Sequence, residues 1–168
     1  MIEAVQQYYE AEWHFAMLCT GIGVVLVLLS LLLWRTAGKA SLSRGMAYVL
    51  LAAGVFQAGT SFGYSKTVEK RSAEAKSISS PLPDREIRQA EILRMKEVFR
   101  SGYTGALLLD GALLLSGVVL VFLPQRRPTR TGVALALMSV GVLGFCIEAY
   151  SIHANRQYLR SVISQLAE

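Results

Sequence analysis

Two carboxyl groups stand inside otherwise apolar stretches of this sequence: Asp110, between Leu109 and Gly111, and Glu148, between Ile147 and Ala149. An ionisable group in lipid is costly unless it protonates, reaches water or finds a partner, so such residues are interior, paired or functional. His14, Cys19, Gln57, Thr60, Ser61, Cys146 and His153 fall at a similar depth, in the same half of the apolar stretches. The expected site is an intramembrane polar cluster of His14, Gln57, Thr60, Ser61, Asp110, Glu148 and His153. Three chemistries fit these residue types. Interhelical hydrogen bonds would let an acid and an amide or hydroxyl satisfy one another with no further role. A hydrated cavity would let the two acids bind a cation or relay protons. His, Cys, Asp and Glu are also metal ligands, but no tight ligand spacing occurs, so no metal site is expected. No nucleophile stands beside an activating base, and the chain is read as a protein that is not an enzyme and carries no cofactor.

The elements that must position these groups are four apolar runs, 15–34, 46–64, 104–123 and 133–152. Each holds about 20 residues, enough to cross the roughly 30 Å hydrocarbon core of a bilayer as a helix. Backbone amides cannot go unsatisfied in lipid, which excludes open strands. A 168-residue chain with 53% hydrophobic residues and a mean hydropathy of +0.42 is also too apolar for an ordinary soluble domain. The expected fold is an all-α membrane protein, a four-transmembrane-helix bundle forming one domain over 1–168. Residues 1–13 carry Glu3, Glu10 and Glu12 without Lys or Arg, unlike the basic start of a cleaved signal. The net charge of +5 comes from residues flanking the spans, which fits orientation in a bilayer better than nucleic acid, and no nucleic-acid partner is expected. Cys19 and Cys146 form no CxxC pair, which argues against a dithiol redox enzyme.

Four spans put both termini and the long connection 65–103 on one side. The first run has no Lys or Arg before it and Arg35, Lys39 and Arg44 after it, which favours termini outside, in the periplasm of an inner-membrane protein. Within the long connection, 79–84 reads as a break, Ser-Ser-Pro-Leu-Pro-Asp, with Asp84 as the following helix start. From there Ile87, Ile92, Met95, Val98, Phe99 and Tyr103 share one sector of a helical wheel, opposite Arg94, Lys96, Glu97 and Arg100. The stretch is expected to run into the third span as one projecting helix. The fourth span should extend over 153–166, and Ile2, Val5, Tyr8 and Tyr9 suggest a short helix before the first. Together these extensions would form a small helical head over a connection of 66–103, with Ile87, Ile92, Met95 and Phe99 as its partner-binding face.

Gly59-xxx-Gly63, Ala112-xxx-Ser116 and Gly132-xxx-Ala136 are small-residue pairs of the kind that let helices approach closely. Trp13, Trp34, Tyr64, Tyr103 and Tyr150 lie at the ends of runs and read as interfacial anchors. The stretches Tyr8-Tyr9 to His14-Phe15, Gly59 to Thr67, Glu91 to Val98 and Glu148 to Leu159 resemble a group of small bacterial four-helix integral membrane proteins. That resemblance implies a compact bundle with a helical head and acids at Asp110 and Glu148, and it implies no activity; Ile152 and Ala154 depart from its pattern. Beyond the lipid bilayer, the expected partner is a protein or a second copy of the chain. The leading expectation is an immunity protein that protects its cell from a membrane-acting bacterial toxin. The alternative is a small proton- or cation-coupled transporter or channel using Asp110 and Glu148.

Overall fold

The computed structural model describes residues 2–38, 41–77, 84–124 and 127–164, with the helical backbone alone over 2–5, 75–77 and 84–88. The elements are α1 (Ile2–Thr36), α2 (Leu42–Ser77), α3 (Asp84–Glu97), one π-helical turn (Val98–Gly102), α4 (Tyr103–Phe122) and α5 (Pro128–Ser164). Four helices are long and apolar enough to cross a membrane, α3 and α4 counting as one continuous rod, which is consistent with a multi-pass membrane protein. Their length exceeds what crossing requires. The 37 residues of α5 span about 55 Å, some 25 Å more than the hydrocarbon core. The excess projects at the end that carries 65–103 and both ends of the chain, and there the head forms.

Several expectations change in detail. The segment before the first span is no separate helix, since α1 is unbroken from Ile2 to Thr36. The second span also enters the head, because α2 continues to Ser77 with the pairs Lys66–Glu69 and Lys70–Glu74 along its solvent side. Most of the break read at 79–84 lies outside the described residues, and α3 resumes at Asp84. The junction near Gly102 and Gly105 stays helical but widens into the π turn. One added residue rotates the downstream helix by about 100°, so the apolar sector of α3 and the buried line of α4 need not share a face.

Packing builds two hairpins, α1 with α2 and α4 with α5, joined by α2 against α5. Neither α1 nor α2 makes an extended contact with α4, so the lateral order is α1, α2, α5, α4. By backbone contact α1 and α4 lie at the edges, while side chains also join α1 to α5, Phe15 stacking on Tyr150 with centroids 5.0 Å apart. Buried positions recur every seven residues: Tyr9, Ala16, Gly23 and Ser30 on α1; Tyr103, Asp110 and Gly117 on α4; Ala134, Gly141, Asn155 and Val162 on α5. This is the repeat that keeps one seam facing a partner in slightly supercoiled helices. The seams are narrow and built of small residues, as expected where lipid removes the hydrophobic drive for helices to associate. In the α1–α2 seam, Ser30 donates to the Ala47 carbonyl at 2.8 Å, fully buried.

Three glycines set the closest approaches. A methyl group at Gly23 would overlap the backbone of Gly54 and Ala58. At the short-loop end, one at Gly45 would overlap the Thr129 carbonyl and one at Gly132 the Leu42 carbonyl. Gly132-xxx-Ala136 is thus a packing face, whereas Gly59 and Gly63 have open space around them and Ala112 and Ser116 lie outside the buried seam. Substituting Gly132→Val should therefore weaken the fold by about 3 kcal/mol, the upper range for overpacking against rigid backbone. Gly59→Val has nothing to strike and should change it by less than about 1 kcal/mol. Denaturant unfolding in detergent, followed by circular dichroism, separates the two.

Candidate functional site

The head and the outer ends of the spans are joined by one polar network, centred on Tyr8, Glu12 and Asn155. Tyr8 and Glu12 lie one turn apart on α1, and the Tyr8 hydroxyl approaches Glu12 Oε1 at 3.0 Å and Asn155 Oδ1 at 2.6 Å. The Tyr64 hydroxyl of α2 donates to the same Glu12 oxygen. Asn155, 5% exposed, donates through Nδ2 to the Tyr103 hydroxyl at the start of α4, which in turn pairs with Ser151 Oγ at 2.7 Å. Every long helix contributes at least one side chain. A phenol has one hydrogen, so Tyr8 donates to either Glu12 or Asn155 at a given moment, and the orientation of the Asn155 amide selects which. Glu12 Oε2 is buried without a hydrogen-bond partner among the described residues. A buried acceptor left in this way costs about 1–3 kcal/mol, which marks Glu12 Oε2 as a place where a hydrogen-bond donor would be stabilised.

Above this layer an ion pair closes the head. Arg94 holds Glu91 with two bonds, Nη2 to Oε1 at 2.6 Å and Nε to Oε2 at 3.0 Å. Its guanidinium lies over the rings of Tyr8 and Tyr9 at 5.9 and 5.6 Å. Tyr158 donates to Glu91 Oε1 at 3.2 Å and stacks on Tyr8 with centroids 3.8 Å apart and planes 11° from parallel. Burial is the largest single influence on Arg94 and opposes its charge, but the Glu91 bonds and the neighbouring charges together outweigh it, so Arg94 holds its proton above the usual arginine range. Burial, with the nearby Glu12 and Glu91 carboxylates acting the same way, pushes the phenols of Tyr8 and Tyr158 well above the ordinary tyrosine range.

Below the network lie the two acids. Asp110 is buried on the seven-residue line of α4, with its carboxyl set against Gly144 of α5, where a methyl group would overlap it. Its own carbonyl lies against Gly141, where a methyl group would meet it at 2.9 Å. Glu148 is half-buried one turn beyond Gly144, in the slot of the α5 repeat between Gly141 and Asn155. The two carboxyls are near enough to interact electrostatically, and Glu148 also acts on Cys19 and Tyr103. Ser151 lies three residues beyond Glu148. The acids therefore stand directly beneath the Tyr103–Ser151 pair.

The other members of the expected cluster are placed elsewhere. Gln57 donates to Ser61 at 3.1 Å within α2, and Thr60 bonds the Phe56 and Gln57 carbonyls of its own helix. His14 is exposed with its ring edge-on to Trp13, and His153 is exposed beside Gln157. None of the five is bonded to Asp110 or Glu148. The reason is the lateral order: α5 separates α4 from α2, so polar groups on α2 cannot face Asp110. In the head, Met95 is wholly buried, and Ile92 and Phe99 pack against its cluster with Tyr158 and Val162. The face read as partner-binding is thus the head's own core; the Ile87 side chain lies outside the described residues. Tyr103, read as an interfacial anchor, is buried, and Tyr64 serves Glu12. Both cysteines are free, Cys19 buried and Cys146 exposed. Among the described residues no three His, Cys, Asp or Glu side chains gather as metal ligands.

Tyr8, Glu12 and Asn155 were not singled out from the sequence. The available signal was spacing: Asn155 stands seven residues from Glu148, and Tyr103 seven from Asp110. Comparison with protein-family models, curated proteins and solved structures gives no match, so no residue role is carried over from a relative.

Two outcomes are expected. Tyr8→Phe and Asn155→Leu should each destabilise the protein by about 1–3 kcal/mol, and the double variant by at least about 0.5 kcal/mol less than the sum, because both remove the same bond. Unfolding of the four proteins in detergent measures this. The tyrosine stack should also depend on pH. A phenol whose folded pKa is raised contributes stability that is complete below the unfolded value of about 10 and is lost as pH climbs past it. Phenolate absorbance and circular dichroism recorded together should show Tyr8 and Tyr158 ionising only as the head melts.

Proposed function

We propose that this chain is a small proton-coupled membrane transport protein, in which Asp110 and Glu148 form the proton-binding pair and the head governs access to it. The observation that carries this reading is the column Tyr103, Ser151, Glu148 and Asp110 along the α4–α5 seam. Hydroxyls leading from a polar head to two neighbouring acids are the arrangement expected of a proton path, since intramembrane acids are functional by default. Two acids within electrostatic reach of one another resist carrying two negative charges at once, which lets the pair load and unload a proton. Glu12, with one oxygen unpartnered at the top of the column, is the acceptor at its mouth. On the charge asymmetry around the first span, the head faces the periplasm of a bacterial inner membrane.

The immunity reading drew on small size, the lack of a catalytic constellation, close-packing faces and a basic, amphipathic head that could meet a toxin. With Met95, Ile92 and Phe99 packed inward, the apolar residues of the head left exposed among the described ones are isolated, such as Leu93. The transport reading therefore has the better physical support.

Reconstitution tests it. Liposomes containing the protein and a pH-sensitive dye, under an imposed potassium diffusion potential, should show proton entry that Asp110→Asn and Glu148→Gln each reduce by about tenfold or more, the scale of losing an essential proton carrier. Tyr103→Phe should slow it less. Wild-type liposomes no leakier than empty ones, or flux untouched by both acid substitutions, would sink the proposal and leave the acids as packing groups.

A further inference from the structure

The end of the bundle opposite the head carries charge of one sign. Arg35, Lys39, Arg44, Arg126, Arg127 and Arg130 fall on or beside the two short connections, and no Asp or Glu occurs over 13–68 or 111–147. Elsewhere acids and bases nearly balance, so the net charge of +5 resides at this end.

Folding joins the two basic stretches into one surface. A methyl group at Gly45 would overlap the Thr129 carbonyl and one at Gly132 the Leu42 carbonyl, so the starts of α2 and α5 cross in backbone contact. Arg44 and Arg130 adjoin that crossing in the chain, and each is held by a different helix. The Arg44 guanidinium lies over the Trp34 ring of α1 at 5.4 Å. Arg130 donates through Nη2 to the Leu123 carbonyl, just past the end of α4, at 2.6 Å. Both are half-buried, and neither they nor the exposed Arg35 and Arg127 pair with a carboxylate among the described residues. A guanidinium presents five N–H donors in a rigid fork that matches the oxygens of a phosphate. Arginines already held in place lose little further freedom when they bind one.

Depth selects the source of the anion. Trp34 ends the first apolar run and Leu123 the third, so both arginines lie at the edge of the hydrocarbon core. The connections 37–41 and 123–127 have five residues each and must run out and back, which limits their reach to about 8 Å. The polar headgroup layer is roughly 5–8 Å thick on each side, so the surface stays within it. Lipid phosphates stand at that level, and a basic cluster there attracts anionic lipid. A zwitterionic headgroup offers the same phosphate but brings a cation against the arginines.

We propose that this end of the bundle docks anionic phospholipid from the adjoining leaflet, one phosphate on Arg44 beside Trp34 and another on Arg130 beside Leu123. One lipid thus sits on each hairpin, flanking the α2–α5 crossing.

Trp34 reports on the first position, because in a Trp13→Phe background it is the sole tryptophan. Lipids brominated in their chains quench a tryptophan they touch. In mixed vesicles, quenching of Trp34 should give phosphatidylglycerol about fivefold the affinity of phosphatidylcholine, the scale of one basic residue at an anionic surface. Arg44→Gln should bring that ratio to about one, Arg44→Lys should hold it above about twofold, and Lys70→Gln in the head should leave it unchanged. Native mass spectrometry reads the second position: the parent should retain two phosphatidylglycerol molecules and Arg130→Gln one. A ratio near one in the parent, a ratio unmoved by Arg44→Gln, or equal retention by the parent and Arg130→Gln would overturn the assignment. Loss of the preference on adding millimolar inorganic phosphate or hexaglutamate peptide would overturn the lipid as the occupant. Circular dichroism of each variant confirms that the helices persist, so a lost preference is a lost contact.

Discussion

The contact of α2 with α5 is the constraint on which the rest of this architecture depends. Each hairpin is held by a short connection and its own seam, and this crossing is the extended backbone contact between the two hairpins, to which the stack of Phe15 on Tyr150 adds a side-chain contact of α1 with α5. It rests on backbone meeting backbone at Gly45 and Gly132, where the approach leaves no room for a side chain. In lipid there is no hydrophobic gain from bringing apolar helices together, so close packing and polar contacts must supply the association. At the opposite end the two hairpins are joined again, by the bond between Tyr8 and Asn155 and by the stack of Tyr8 on Tyr158. The halves are thus tied at both ends by different physics, small residues on one side of the membrane and hydrogen bonds in the head.

This division explains where polar groups are placed. The head network lies toward one end of the apolar runs, and burial strengthens its hydrogen bonds while making any unpaired member costly. Nearly every group in it is satisfied; Glu12 Oε2 is the exception among the described residues. Deeper in the seam, Asp110 has a glycine rather than a polar side chain opposite it. An acid with space made for it but no dedicated partner differs from interhelical glue, in which donor and acceptor are matched. That difference sets the α4–α5 column apart from the other seams of the bundle.

Much of the fold was legible in the residues. Run lengths of about 20 apolar residues dictate four helices, because no other structure satisfies its backbone in lipid. The wheel of Ile92, Met95 and Phe99 opposite Lys96 and Arg100 correctly implied a helix with one covered side. What covers that side was not legible, since an amphipathic face is the same whether it meets a partner or the chain's own α5. The sevenfold spacing linking Tyr103 to Asp110, and Glu148 to Asn155, was present in the sequence as well. It becomes meaningful only once α4 and α5 are known to pack along those lines.

The sequence by itself therefore determined the number of long apolar helices, the end of the bundle at which the head lies, and the placing of Asp110 and Glu148 within apolar runs. These follow from local properties, hydropathy and helical rise, that each segment carries alone. Tertiary structure decided the lateral order of the helices, and with it every question of partnership. With α5 between α2 and α4, Gln57, Thr60 and Ser61 were left to their own helix, and Asp110 was set against Gly144. In lipid one apolar helix face resembles another in hydrophobicity. Which faces meet is decided by where backbones can touch and where buried polar groups find one another, and those are properties of pairs of helices rather than of any one segment.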